Sequence, residues 1–483
     1  MPKTIPKIGL EIHGYLTTKE KLFCRCPTNY KTADPNTNIC PVCTGQPGSK
    51  PMLPNTGALN KVIAISLMLG CKINHRFVWQ RKHYDWPDLP KGYQNTISGA
   101  HSIPVAEKGE FIGIRITEAH LEEDPAKWDP ATGNVDYNRC GMPLIEIVTE
   151  PDFNDSETVK EWLNSLLLTL SYIKAVDPDA GIKADVNVSV SIGNDGKSKD
   201  FRHAKNSSRI FKQKQGSRVE IKNLNSIDSI GKAIDYEIKR QAKLLENNEK
   251  VVHETRTYSD ERGITISMRS KEEAADYRFI PDPDLPIMEI DKKAISKIEQ
   301  SLPELPHVKV KRFMKQYKID DYTSSILTSN IDLANFFEKV IEKVNDTKLV
   351  STWVTIELLR VLNYNKKLLH EVSINPYHFI SLLNMLKEKK ITELAAKKIL
   401  NDFIPKSFDP GAAMKGKEKI EDKGEIEKIC KEVISKNPKA VEDYKKGEQK
   451  SLNFLIGEVV KASNRRADSR IVASTIIKLL KGR

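Results

Sequence analysis

Ile8-Gly9-Leu10-Glu11-Ile12-His13 sets an apolar residue at every second position. Side chains alternate faces along a strand, so Ile8, Leu10 and Ile12 line one face while Glu11 and His13 share the other. The same alternation returns further along. Glu146 points away from Ile145 and Ile147. Asp185, Asn187 and Ser189 alternate with Val186, Val188 and Val190. Glu220 and Lys222 alternate with Val219 and Ile221. A solvated amphipathic sheet shows this alternation too, but it fills its outer face with Lys, Thr and Glu. Here the polar faces repeatedly carry Glu, Asp, Asn and His. Carboxylates gathered on one surface repel unless a cation lies among them, so the set predicts a sheet with a Mg²⁺ site on its polar face. His120-Leu121-Glu122-Glu123-Asp124 brings further carboxylates at the end of another strand-like stretch.

Outward from these strands, the chain is 483 residues long, which exceeds one core and implies two to four domains. Its longest apolar run, Val62 to Cys71, is about half of what spans a bilayer. The N-terminal Met-Pro-Lys-Thr-Ile-Pro holds no apolar signal core, so a cytoplasmic protein without a membrane partner is expected. Lys and Arg number 77 against 65 Asp and Glu, a net charge of +12. A surplus of that sign suits a polyanion such as a nucleic acid, and equally a chain with many solvated lysines.

Seven cysteines make an odd count, which argues against a complete disulfide framework. Four cluster as Cys24-Arg25-Cys26 and Cys40-Pro41-Val42-Cys43, the spacing of a closed tetrahedral Zn²⁺ site of structural type. Cys71, Cys140 and Cys430 stand alone and read as packing residues.

Up to about residue 290 the chain alternates strands, turns and a few helices. Asn154 with Glu157 resembles a capping box for a helix whose apolar face is Val159, Trp162, Leu163, Leu166, Leu167 and Leu170. Ile227, Ile230, Ile234 and Ile238 mark a second helix. From Lys292 to about Ile404 the spacing is helical, including Ile331 to Val344 and Thr352 to Leu369. Phe408-Asp409-Pro410-Gly411-Ala412 is a turn-rich break, followed by a lysine-rich helical tail. The Lys415 to Lys423 run is charged and low in complexity. Arg81-Lys82-His83-Tyr84 and Asp88-Leu89-Pro90-Lys91-Gly92-Tyr93-Gln94 join basic and aromatic residues in a manner suited to phosphate contact, or to an ordinary surface loop. The chain has no Walker A loop and no dinucleotide-binding glycine fingerprint, so an ATP site must use another architecture.

Taken together, these blocks resemble the GatB/GatE amidotransferase family. Residues 8–13, 81–84, 89–94, 120–124, 142–152 (Met-Pro-Leu-Ile-Glu-Ile-Val-Thr-Glu-Pro-Asp), 219–226 (Val-Glu-Ile-Lys-Asn-Leu-Asn-Ser) and 276–284 (Asp-Tyr-Arg-Phe-Ile-Pro-Asp-Pro-Asp) occur in the family's order. Ser451 to Lys461 extends the likeness into a tail shared with YqeY-like proteins. The GatE branch carries a large inserted domain after the Asp-Pro-Asp-Leu-Pro block. Here Pro286 passes through Met288-Glu289-Ile290 directly into helical sequence, which favours the GatB branch. Three departures are local: Asn95-Thr96 after Gln94, Ala126 where glycine is usual, and Asn464-Arg465-Arg466 at a turn of the tail.

The resemblance implies an α+β chain. An antiparallel-sheet catalytic cradle related to glutamine synthetase and guanido kinases, at 1–291 with a zinc knuckle at 24–43, precedes an all-α helical domain at 292–405. A small, flexible all-α tail follows at 406–483. It implies Mg²⁺ on Glu11, His13, Glu123 and Glu146 as the catalytic set. Nucleotide and phosphate contacts fall on Lys82, Lys91, Asp185, Asn187, Ser189, Glu220, Lys222 and Asn223, and tRNA contacts on Lys461, Arg465, Arg466 and Arg470. The implied activity is ATP-dependent activation of the side-chain carboxylate of mischarged Asp-tRNA or Glu-tRNA, followed by amidation. The chain holds no amidase or glutaminase signature, so ammonia would come from an amidase subunit (GatA), with a small subunit (GatC) completing the complex. The alternatives are a zinc-stabilised RNA-binding protein without catalysis, and a standalone ligase using free ammonium.

Overall fold

The computed structural model describes residues 3–178, 181–193, 214–270, 278–413, 420, 422–464 and 466–481. Arg465 and most of the Lys415 to Lys423 run lie outside the described residues. The chain divides into two compact units, Met1–Leu305 and Pro306–Arg483.

The first unit is built on a large sheet. Its main path uses ten strands: β1 (Lys3–Tyr15), β2 (Gln80–His83), β3 (Tyr93–Thr96), β4 (Ile114–Glu123), β5 (Pro143–Thr149), β6 (Ile182–Gly193), β7 (Val219–Leu224), β8 (Glu254–Ser259), β9 (Ile264–Ser270) and β10 (Arg278–Pro281). Their order across the sheet is β9-β8-β7-β6-β1-β5-β4-β3-β2-β10. The long strand β1 lies between β5 and β6, antiparallel to both. The sheet is not wholly antiparallel as expected, because β7 and β8 run parallel. Between them the chain forms α3 (Ile227–Glu246), and a crossover helix of this length is what a parallel return requires.

The apolar half of the alternation makes the core. Ile8, Leu10, Ile12, Ile145, Ile147, Val186, Val188, Val219 and Ile221 are all buried in one cluster. Helices α1 (Thr56–Met68), α2 (Ser156–Tyr172) and α3 supply its other half through Val62, Ile63, Trp162, Leu163, Leu166, Ile230 and Ile234. The N-cap of α2 is Asp155, one residue after the expected Asn154, and its side chain accepts from the Thr158 amide. Trp162 donates its indole N–H to the Phe111 carbonyl at 2.8 Å and meets the edges of Phe111 and Phe153.

Helix α4 (Lys292–Ser301) belongs to the first unit and not to the helical part that was expected to begin at 292. Ile295, Ile298 and Leu305 pack against the sheet core, and apolar contact, not helical periodicity, decides membership. Among the described residues, the second unit holds two separate cores. One gathers buried residues from Phe313 to Phe403, among them Phe336, Phe337 and Val340 of the helix Ile331–Val344. The other runs from Ile420 to Leu480. The helix expected over Thr352 to Leu369 stops at Tyr364 and passes through a π-helical turn at Trp353–Leu358.

Trp162 ties α2 to the sheet by packing and by one hydrogen bond. Trp162→Ala should therefore destabilise the first unit by roughly 3–5 kcal/mol. The check is the urea midpoint of that unit's unfolding transition, with an unchanged slope.

Candidate catalytic face and cysteine centre

Strand register decides which polar residues meet. Across β1, His13 stands opposite Glu146 of β5, and Glu146 stands opposite His120 of β4. Opposed residues share a face, so the three form one row over three strands. Glu122, two residues after His120, points to the same side. The ligand atoms of His13, Glu122 and Glu146 lie within 4.8 Å of one another. His13 Nε2 is 3.4 Å and His120 Nε2 2.9 Å from the same oxygen, Glu146 Oε2. Gln94 donates to Glu122 at 3.2 Å.

A second acidic group lies on the other flank of β1. Glu11 stands opposite Asp185 of β6, and Asn187 opposite Glu220 of β7. Glu11, Asp185 and Glu220 also bring ligand atoms within 4.8 Å of one another. Lys222 donates to Asp185 at 2.5 Å and reaches Glu220 at 2.8 Å. Asn187 donates to Glu11 at 2.9 Å, while its own Oδ1 is buried without a partner. Ser189 follows on the same side, opposite Lys7. The register of β6 on β7 slips beside Asp185, and Asn223 has φ +64°. A bulge of this kind turns a side chain off its strand direction, and Asn tolerates that backbone, which leaves Asn223 exposed.

Glu123 is a correction. It was expected beside Glu11, His13 and Glu146, but strand parity sends it to the opposite face. There it accepts from Lys91 Nζ and, at 3.0 Å, from the Asn95 amide. Glu122 takes the place on the polar face. Lys82 and Lys91 part in the same way. Lys82 lies on the side of Glu122; burial and Glu146 oppose ionisation of that carboxyl, and His120, then Lys82, bring it below the usual carboxylate range. Lys91 lies half-buried behind the sheet, its ammonium 5.0 Å from the Tyr93 ring centroid.

Charge on the polar face is balanced internally. Burial, then Glu146 and Glu220, push the Glu11 carboxyl up. Burial opposes ionisation of Glu146 too, yet His120 and His13 hold it well below the usual carboxylate range. Burial likewise works against a charged His120, and Glu146 and Glu122 overcome it and raise His120 well above an ordinary imidazole. Sequence reasoning gave His120 no role. Its position, one alternation before Glu122 in a strand whose next neighbour carries Glu146, was the available signal.

The four clustered cysteines converge as their spacing predicts. Cys24, Cys26, Cys40 and Cys43 bring their sulfurs within 4.8 Å of one another, and none forms a disulfide. Cys43 and Cys40 sulfurs are 3.9 Å apart, near the ~3.8 Å edge of a tetrahedron with 2.3 Å metal–sulfur bonds. The Cys43 thiol is held down to about 5, first by a hydrogen bond from Cys24 and also by the Lys21 ammonium 3.6 Å away. This donor set is compatible with a structural metal.

In the second unit, the tail residues expected to meet tRNA lie at and after the end of the helix Gln449–Ala462. Lys461 is exposed, Arg466 sits 4.0 Å from Glu425, and Arg470 is exposed in the helix Ser469–Lys481.

Comparison with known proteins identifies the family. The family described as the GatB/GatE catalytic domain matches residues 6–296, and one described as a GatB domain matches 335–480. The chain is similar to the B subunit of the aspartyl/glutamyl-tRNA(Asn/Gln) amidotransferase of Methanococcus maripaludis strain C5. The two are 42% identical over 486 residues, covering 99% of this chain and 98% of the relative. The protein of the same name from Methanothermobacter thermautotrophicus is 44% identical over 465 residues, covering 96% and 97%. That from Methanocaldococcus jannaschii is 41% identical over 490 residues, covering 99% and 97%.

Lys91 is the cation beside the buried Glu123 carboxylate. Lys91→Met should cost about 3–5 kcal/mol, because it leaves a charge in the interior unpaired. Removing both charges with Lys91→Met and Glu123→Leu should return much of that loss, read as denaturant midpoints of the single and double variants.

Proposed function

The chain belongs to the GatB/GatE family, and on that premise we propose that its polar sheet face activates the side-chain carboxylate of Asp or Glu carried on a mischarged tRNA. The family places it in a multi-subunit, glutamine-dependent tRNA amidotransferase, a ligase. Among the described residues, no helix is long and apolar enough to cross a membrane. The observation that carries the proposal is the row His13–Glu146–His120, joined by Glu122, in a chain of this family.

In the reaction, the substrate carboxylate oxygen attacks the γ-phosphorus of ATP. The bond to the β,γ-bridging oxygen breaks and ADP leaves, giving an acyl phosphate. Ammonia nitrogen then attacks the acyl carbon, phosphate departs with the bonding electrons, and nitrogen loses a proton to leave the amide. The catalytic work is positioning and electrostatics.

The donor set suits a hard divalent cation. His13, Glu122 and Glu146 would hold Mg²⁺, with Glu11 and Asp185 on the adjoining row. The buried, unpartnered Asn187 Oδ1 is a further oxygen on this face. Bound there, the ion would neutralise charge on phosphate oxygens. Lys82 and Lys222 carry ammonium groups on the same face and would meet phosphates. Asp185, Asn187, Ser189, Glu220 and Asn223 would shape the nucleotide site. Tyr15, Met142 and Leu144 form a small buried apolar cluster, with Tyr30 packed against it. Tyr15 and Leu144 continue this face along their strands and would help to keep water from an acyl phosphate held there. The cradle is read as related to glutamine synthetase and guanido kinases.

Ammonia would come from an amidase subunit (GatA), with a small subunit (GatC) contacting both. Lys461, Arg466 and Arg470, with Arg465 beyond the described residues, would grip the tRNA backbone, a contact that weakens with salt. Zn²⁺ would hold the cysteine knuckle.

Purified with its partners and given ATP, Mg²⁺ and glutamine, the complex should form Asn-tRNA or Gln-tRNA from mischarged Asp-tRNA or Glu-tRNA supplied in parallel. Glu146→Gln should lower that rate by at least about 100-fold while tRNA affinity holds. No amide from either tRNA, with tight binding, would leave an RNA-binding module. Separately, elemental analysis of the purified chain should give about one zinc per chain, lost in Cys43→Ser.

A further inference from the structure

His120 has no route to a substrate, since its side chain is only 1% exposed. Its charged neighbours among the described residues belong to the acidic face. Nε2 lies 2.9 Å from Glu146 Oε2 and 3.5 Å from Glu122 Oε1. On the far side Nδ1 lies 3.4 Å from Glu118 Oε1, and Glu118 in turn accepts from the Ser98 hydroxyl. A group so placed can act only through the carboxylates it holds.

Glu146 Oε2 is the shared atom. It lies 3.4 Å from His13 Nε2 on one side and 2.9 Å from His120 Nε2 on the other. Two ligand atoms each about 2.1 Å from one cation, at near-right angles, stand about 3 Å apart. The His13–Glu146 spacing is near that value, and the His120 spacing is that of a hydrogen bond. A carboxylate oxygen has two lone pairs, so it can accept from His120 while offering the other to a cation.

We propose that His120 is a positioning residue whose Nε2–H fixes Glu146, and with it Glu122, as a preformed pair of cation ligands beside His13. The inference rests on the reading above that this cluster holds a divalent cation. Without the imidazole, the buried Glu122 and half-buried Glu146 carboxylates would repel and swing apart, and binding would have to gather them again. Partners that hold metal ligands typically contribute 10–100-fold in affinity.

The test uses the full-length chain and Mn²⁺ alone, with free ion counted by electron paramagnetic resonance during titration. His120→Leu should bind at its tightest site about 10–100-fold more weakly than the natural chain. His120→Gln, whose amide N–H reaches as far as Nε2, should recover most of the loss. His120→Asn, which is too short, should not. Wild-type affinity in His120→Leu overturns the proposal, as does equal affinity of the Gln and Asn variants at matched melting temperatures. That last contrast decides the matter alone if the Leu variant does not fold. Unchanged binding in Glu146→Gln would overturn the cation reading itself, a separate result.

Discussion

The pairing of β1 with β5 on one side and β6 on the other is the constraint on which the rest of the structure depends. Twelve opposed positions join β1 to β6, from Lys3 with Gly193 to Gly14 with Ile182. Because side chains alternate along every strand, this one register fixes both faces at once. Ile8, Leu10 and Ile12 must lie over Val186 and Val188, and Glu11 must then lie beside Asp185. A slip of one residue would bury Glu11 and His13 against α2 and α3. The free energy of the apolar core therefore holds the acidic face in place, and the repulsion of that face is carried by hydrophobic burial behind it.

That repulsion is reduced locally. On the β4–β5 side, His13 and His120 stand among Glu122 and Glu146. On the β6–β7 side, Lys222 stands between Asp185 and Glu220. In both places a basic side chain offsets the repulsion between neighbouring carboxylates. The face is thus charge-compensated by side chains of its own sheet.

Much of this was legible in the sequence, because period-two alternation survives translation into structure. Glu11, His13, Glu146, Asp185, Asn187 and Glu220 all share the face that alternation assigns them. The cysteine spacing was legible for a simpler reason, since two short knuckles can close on one centre without knowledge of the fold. Adjacent carboxylates were harder. Glu122 and Glu123 differ by one position, and only the register of β4 against β5 says which points where. His120 was hidden by the same ambiguity. The parallel pairing of β7 with β8 and the membership of α4 depend on contacts far apart in sequence, which no local pattern encodes.

The Glu122–Glu123 step has a consequence of its own. One peptide unit carries a carboxylate to each side of the sheet, Glu122 toward His120 and Glu123 toward Lys91 and Asn95. Immediately after it, Asp124 accepts from Tyr15 at 2.5 Å and meets Arg139 at 2.9 Å. Its carbonyl takes the Gly141 amide, and the Gly141 carbonyl takes Leu22, at the root of the cysteine knuckle. Gly141 has φ +82°, and a Cβ there would lie 3.6 Å from Cys43 and 3.9 Å from Glu123. Backbone hydrogen bonds thus run from the cysteine centre to the end of β4 in two steps. The cysteine cluster is thereby tied to the strand end at which Glu122 and Glu123 part to opposite faces.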